Sequence, residues 1–190
     1  MRASRMIYPT WIQLKWTMIG VGLILLVAHA FALFKSATAR EWLRKFPRNY
    51  EAGVLLTIVA TAWFYLLVKL MDLGEFTSWR PTVLVLTPVA GLLAIFFMRD
   101  FLAVRALGTI ALLAAEPLLE SAFLRDEPIR LLLVTLVYFW IIFGMFWVGM
   151  PYTLRNQIAW ITSSETRWRA AAFAGLAYGA LLLLLPATFR

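Results

Sequence analysis

The residues best placed to do chemistry are three charged side chains inside one apolar segment of membrane length, residues 101–124. Arg105, Glu116 and Glu120 fall within about 60° of arc on one helical face, because each residue turns a helix by about 100°. An ionisable group at that depth costs roughly 2.5–3.5 kcal/mol on membrane-insertion scales, so we expect all three to face the protein interior. The glutamate pair could hold a proton or a cation. The structural alternative is that a neighbouring cation neutralises the pair and sets the helix register.

A second polar stripe follows the apolar segment 52–71, where a polar residue recurs at every fourth position. Its members are Thr57, Thr61, Tyr65 and Lys69. Counted from the starts of the two segments at about 1.5 Å per residue, Lys69 lies at a depth between those of Glu116 and Glu120. The sequence therefore predicts that the two segments are neighbours and that Lys69 pairs with one of these glutamates. The alternative is that Lys69 extends outward to Asp72.

Thr109 and His29 complete the candidate intramembrane site. Thr109 shares the face of Arg105, and the count of depth places both level with the threonines of the second stripe. His29 is the single histidine of the chain, and there is no cysteine. One histidine without a nearby carboxylate does not make a metal set, so we predict a hydrogen-bonded interior residue. Serine-hydrolase, zinc-protease and phosphate-loop motifs are absent as well, so we predict no catalytic, cofactor-binding or metal-binding residues.

The segments that position these residues make up most of the chain, which has 190 residues, is 63% apolar and has a mean hydropathy of +0.81. Six segments approach the ~17–25 apolar residues that a helix needs to cross a bilayer. The sequence predicts an all-α integral membrane protein, one domain over residues 1–190, built as a bundle of about six transmembrane helices with short interfacial helices. The predicted spans are residues 16–34, 52–71, 82–98, 101–124, 131–150 and 170–186.

Three features of these spans have alternatives. The first span is predicted to be retained, because its apolar run exceeds the usual ~7–15 residues of a signal peptide. A single helix over residues 82–124 would be about 64 Å long, twice the bilayer core, so we predict two spans with Asp100 as the N-cap of the second. The alternative is that residues 82–98 form a broken or re-entrant segment. Pro117 predicts a kink near Glu116.

The connections and the last span carry further signals. Amphipathic patterns predict surface-lying helical turns near residues 40–46 and 153–161, and the spacing of Thr162 and Glu165 predicts a capping box. Small residues recur every four positions in the last span, which predicts a face that contacts another helix of the chain or of a partner. These small residues are Ala171, Gly175 and Gly179.

The function favoured by the sequence is that of a small non-enzymatic integral membrane protein, a structural or accessory subunit of a membrane complex in the plasma (inner) membrane. Its expected partners are the lipid bilayer and other membrane subunits or a second copy, with no cofactor. The net charge of +8 is scattered over short loops, which is typical of topology signals and lipid contacts and not of nucleic-acid binding. The alternative is an ion- or proton-linked transporter or channel that uses Glu116 and Glu120. A lipid-modifying enzyme is the third hypothesis.

Overall fold

The computed structural model describes residues 14–123 and 125–188. This part of the chain is 89% helical and contains no strand, which confirms the all-α prediction. Three short 3-10 helices, Phe46–Arg48, Gly74–Trp79 and Leu185–Thr188, supplement the α-helices. The α-helices are α1 (Leu14–Phe34), α2 (Ser36–Lys45), α3 (Tyr50–Leu70), α4 (Arg80–Phe97), α5 (Leu102–Ala122), α6 (Arg130–Gly149), α7 (Tyr152–Thr162) and α8 (Glu165–Leu184).

Five helical segments of the described chain are long and apolar enough to cross a membrane. They are α1, α3, α5, α6 and the combined segment 74–97, which contains α4. The sixth predicted span lies in α8, which is not among them. Its first five residues include Glu165, Arg167 and Arg169, and these charges shorten its apolar part.

Helix α5 is the centre of the bundle. It packs along α6 on one side and along α3 on another, so the two segments predicted to be neighbours are in contact. Helix α4 packs on α3, and α1 pairs with α8. The core that joins α1, α5, α6 and α8 includes the fully buried side chains of Met18, Leu133 and Leu182. The Tyr178 hydroxyl also ties α8 to α6, because it donates to the Leu132 carbonyl at 2.7 Å.

Glycines allow the closest helix approaches. A Cβ atom added to Gly22 of α1 would lie 2.8 Å from the Gly179 carbonyl oxygen of α8. A Cβ atom added to Gly108 of α5 would lie at the same distance from the Gly144 carbonyl oxygen of α6. At both places one backbone rests directly on another, which is the contact that small residues permit between membrane helices. The small-residue face of α8 therefore meets α1 of the same chain at Gly179.

Two of the predicted helix caps are wrong. Phe101, with φ of 58°, precedes α5 and no side chain caps that helix, so Asp100 is not the N-cap. The left-handed conformation of Phe101 reverses the chain without a glycine or a proline. Thr162 belongs to the last turn of α7, where its hydroxyl donates to the Ile158 carbonyl, so it forms no capping box with Glu165. Helix α4 runs unbroken through Pro88.

Candidate functional site

The residues of the predicted intramembrane site lie in three separate places. One group lines a cavity between α3, α4, α5 and the end of α6. His29 faces a groove on the other side of the bundle, between α1, α2 and α8. Lys69 and Glu116 are exposed on the helix surfaces, and Glu120 is half-buried. Tyr65 is half-buried, lines neither space and makes no side-chain hydrogen bond within the described chain.

We call the first space the arginine cavity. It has a volume of about 510 Å³, and its polar lining consists of Arg105 and four threonines, while the rest of the lining is apolar or glycine. Three of these threonines, Thr57, Thr61 and Thr109, were predicted from the sequence. The fourth, Thr87 of α4, was missed because it is an isolated polar residue with no periodic partner in its own segment.

The threonine hydroxyls of the arginine cavity mostly serve their own helices. Thr57 donates to the Gly53 carbonyl at 2.8 Å, Thr87 to the Val83 carbonyl at 2.8 Å, and Thr109 to the Arg105 carbonyl at 3.0 Å. Such bonds to the preceding turn are common for threonine and leave no hydroxyl hydrogen for a ligand. The cavity therefore has oxygen lone pairs and methyl groups along most of its length.

Arg105 is the charged group of the arginine cavity. Its Nη1 donates to the Val148 carbonyl at 2.9 Å, near the C-terminal end of α6. A cation at this position also stabilises the exposed carbonyls and the negative end of the helix dipole. Its Nε atom is buried and has no hydrogen-bond partner. None of the ion pairs of the described residues involves Arg105, so its charge is not neutralised within that part of the chain.

The predicted ion pair between Lys69 and a glutamate of α5 is not formed. A Cβ atom added to Gly53 of α3 would lie 2.8 Å from the Ala103 nitrogen of α5, and this register places Lys69 between the depths of Glu116 and Glu120. The direction of the side chain is what differs. Each four-residue step advances the stripe by about 40°, so Lys69 points about 160° away from the Gly53 face. Lys69 is exposed and has no ion-pair partner among the described residues.

The alternative for Lys69, an ion pair with Asp72, is not formed either among the described residues, and the Asp72 carboxylate accepts from the Gly74 backbone nitrogen at 3.0 Å. Glu116 and Glu120 line neither the cavity nor the groove. Within the described ranges their carboxylates form no hydrogen bond or ion pair. Glu116 is thus exposed on the surface of α5, Glu120 is half-buried, and neither belongs to the cavity or the groove.

We call the second space the histidine groove. It has a volume of about 610 Å³, and its lining is apolar except for His29, Thr38 and the indole nitrogens of Trp42 and Trp168. The Nδ1 atom of His29 donates to the Leu25 carbonyl at 2.8 Å, the bond expected of an interior histidine. Its ring lies against Gly175 of α8, where an added methyl group would overlap it. Ala171 lines the groove beside them.

A polar cluster that the sequence did not predict closes the end of the histidine groove; we call it the α2 clasp. Its residues come from α2, α7 and α8 and are separated widely in the chain, so no spacing pattern reveals them. Arg40 pairs with Glu165, and its guanidinium lies 5.0 Å from the ring centre of Trp168. Arg44 donates to the Thr162 hydroxyl at 2.9 Å and to the Thr162 carbonyl at 2.8 Å, at the end of α7.

The charges of the α2 clasp act on its carboxylate. The hydrogen bond from Arg40, followed by that from Arg169, lowers the pKa of Glu165 from its ordinary value. Trp168 donates from its indole nitrogen to the Ala32 carbonyl at 3.0 Å, so the same cluster also holds α8 to the end of α1. The clasp fastens the amphipathic helix α2 to the bundle.

These features define a class: an all-helical bundle with five segments able to cross a membrane, a polar cavity beside its central helix, and a surface helix clasped to one end. No cluster of potential metal ligands occurs in residues 14–123 or 125–188. A comparison of the chain with protein-family models, with curated proteins and with solved structures finds no match to any of them.

Proposed function

We propose that this chain is a small non-enzymatic integral membrane protein that serves as a structural or accessory subunit of a membrane complex. The observation that carries the proposal is the exposed carboxylate of Glu116 on the side of α5. Glu116 lies six positions before Ala122, the last residue of the helix, which places it about 9 Å inside the apolar span. A bare charge at that depth is costly, and pairing with a donor on another helix offsets the cost.

The face of α5 that bears Glu116 is the same face that bears Arg105, about three helical turns earlier. At the Arg105 end, α3, α4 and the end of α6 surround this face. At the Glu116 end the Glu116 side chain is exposed in the described chain, although Leu119, about 60° away around the helix, packs against the core. A partner helix with a basic residue or a hydroxyl or amide donor at this depth would complete the bundle there.

The same proposal includes six spans and a plasma (inner) membrane location. Helix α8 is the sixth span, because it pairs with α1 along its length and its backbone touches α1 at Gly22 and Gly179. With six spans, the start of α1 and the end of α8 lie on one side of the membrane, and the 3-10 helix after α8 contacts α1 there. The basic residues of the short connections then lie beside anionic headgroups.

The geometry gives the transporter alternative no support. Transport through Glu116 and Glu120 requires a water-accessible cavity that reaches these carboxylates, and they line neither the arginine cavity nor the histidine groove. A lipid-modifying enzyme requires a nucleophile or a metal set, and the described residues contain no candidate metal cluster. Binding to another subunit is the function that uses the bare face of α5.

The test is purification of the tagged full-length chain from its native membranes in a mild detergent, with native mass spectrometry of the product. We expect the wild-type chain to be recovered in a fixed ratio with another membrane protein. Glu116→Gln, which keeps the shape of the side chain and removes its charge, should lose that partner. Glu75→Gln serves as the control, because Glu75 is an exposed carboxylate in the turn before α4.

Two results would contradict the proposal. The first is a wild-type chain that is recovered alone and whose mass does not change in Glu116→Gln. The second is a complex of this chain with itself only, which would replace the accessory role by self-association. Because Lys69 is exposed at a matching depth, that second result should depend on Lys69 as well as on Glu116.

A further inference from the structure

We propose that the arginine cavity binds an anionic amphiphile, a molecule with an acidic headgroup and an acyl chain, such as a fatty acid or an acidic phospholipid. The headgroup binds Arg105, and the acyl chain lies between α3, α4 and α5. The cavity is at the opposite end of α5 from Glu116, and its occupation does not depend on the subunit role proposed above.

The guanidinium of Arg105 is charged and its hydrogen bonding is incomplete. Its one hydrogen bond within the described residues goes to the neutral carbonyl of Val148, and its buried Nε has no acceptor. A buried donor on a charged group is unfavourable unless an acceptor is supplied. A carboxylate or phosphate supplies both the acceptor and the opposite charge, and the planar guanidinium suits either group because it can donate two parallel hydrogen bonds.

The described residues do not supply that anion. Glu51 of α3 and Asp100 before α5 are the acidic residues near the same end of these helices, and both are exposed. The ion pairs formed by described residues are Arg40 with Glu165, Lys45 with Glu41, and Arg169 with Glu165. Arg105 is therefore a fixed positive charge without a counterion from the described residues.

The cavity is charged at one end and apolar at the other. Arg105 is three residues from the start of α5, about 4.5 Å along the helix, which is close to headgroup level. Thr61 is about 16 Å from the start of α3, near the middle of the span. Because most of the threonine hydroxyls donate to their own helices, the deep part of the cavity favours an apolar chain. One charged end and one apolar end match an amphiphile better than a free anion.

The cavity opens on the side of the bundle that faces the lipid. Helix α4 packs on α3 and on the turn that precedes it, and the cavity lies on its side toward α5. Phe64, Leu86 and Ala90 line the cavity and are exposed at its edge, so it opens sideways toward the lipid. An amphiphile dissolved in the bilayer can enter by this route. The volume of about 510 Å³ lies within the ~300–1,000 Å³ of ordinary ligand sites.

The experiment is a binding titration of the full chain in phosphatidylcholine nanodiscs, read by native mass spectrometry and by thermal unfolding. The probes are oleate, dioleoyl-phosphatidylglycerol, the uncharged oleyl alcohol, and inorganic phosphate. We expect oleate or phosphatidylglycerol to bind at least about tenfold more tightly than oleyl alcohol, and phosphate alone to give no stabilisation. Arg105→Gln should remove this preference, whereas Arg99→Gln, an exposed arginine near the same end, should keep it.

A second variant tests the apolar part of the cavity. Ala90→Trp places a large side chain at the exposed edge of the cavity and should weaken oleate binding about tenfold or more while Arg105 remains. If Arg105→Gln does not fold, Arg105→Lys takes its place and should keep the preference for oleate over oleyl alcohol with reduced affinity. Equal binding of oleate and oleyl alcohol would overturn the proposal. So would phosphate binding as tight as oleate binding, or oleate binding that Ala90→Trp leaves unchanged.

Discussion

Both ends of helix α5 carry a charge on the same helical face, but the two charges have different surroundings. At the N-terminal end, Arg105 faces a cavity and donates to the Val148 carbonyl of α6. At the C-terminal end, Glu116 is exposed and its carboxylate has no partner in the described part of the chain. An unpaired charge is unfavourable in hydrocarbon at either end, and Glu116 lies deeper from its end of the helix than Arg105 does. The neighbouring helices, and not α5 itself, determine which of the two charges has a hydrogen-bond partner.

This difference separates two kinds of unpaired charge. Arg105 has one neutral partner and one orphaned donor, so the fold holds it but leaves it incomplete, which suits a small ligand. Glu116 is exposed and has no ion-pair partner among the described residues, which suits the surface of another protein. We infer that the first end binds a molecule that enters from the lipid, while the second end binds a partner helix.

The largest effect is expected where α5 is held against α6, between the two charges. Gly108→Leu should destabilise the chain by about 3 kcal/mol or more, because its side chain would meet the Gly144 backbone and also separate Arg105 from Val148. The measurement is unfolding of the detergent-solubilised chain in an SDS titration. Gly149→Leu is the control, because a Cβ atom at Gly149 has nothing within 4 Å. Equal stability of the two variants would show that this contact does not hold the helices together.

A smaller loss is expected at the Arg105 end. Arg105→Met should destabilise the ligand-free chain by about 2 kcal/mol, since a hydrogen bond from a charged group to the end of α6 is lost. The same SDS titration measures it, with Arg125→Met as an exposed control. If Arg105→Met were as stable as wild type, this hydrogen bond would not stabilise the chain, and the role of Arg105 would be in binding alone.

At the Glu116 end, substitution of the charged residue should raise the stability of the chain and not lower it. Glu116→Leu should stabilise the isolated chain by about 1 kcal/mol, because it removes an unpaired charge from an apolar surface. The control is Glu75→Leu in the exposed turn before α4, which should be nearly neutral. If unfolding titrations showed that Glu116→Leu destabilises the chain, Glu116 would have a partner within its own chain, and the contrast between the ends would fail.

The smallest effect concerns a carboxylate that, unlike Glu116, is paired. Because Arg40 and Arg169 lower the pKa of Glu165 in the folded chain, its stabilising contribution is present above the ordinary value of 4.5 and is lost as pH falls below it. We expect the thermal midpoint of the wild-type chain to fall more steeply below pH 4.5 than that of Glu165→Gln. Parallel pH profiles of the two proteins would show that the ion pairs of Glu165 contribute nothing to stability.

Part of this protein could be predicted from its sequence because the physical cause acts locally. The membrane-length apolar runs predict helices, since a backbone without water must satisfy its hydrogen bonds internally. The amphipathic pattern of α2 and the depth register between α3 and α5 follow from the helical period. The repeat of small residues in α8 marks a face that can approach another helix closely, and Gly179 lies against Gly22 of α1.

Only the tertiary structure decided which of the polar residues lie together. Lys69 has the depth needed to reach Glu116. However, the polar stripe rotates around α3 by about 40° every four residues, so Lys69 points away from α5. The position of α5 beside α3 comes from helix packing, and the sequence spacing does not provide it. Thr87 joins the arginine cavity because Gly91 lets α4 rest against Thr61, a contact between residues of different helices. Arg40 and Glu165 meet because α2 packs on α7, whose end leads into the start of α8. Spacing along one helix determines faces and depths, whereas the packing of several helices determines which faces meet.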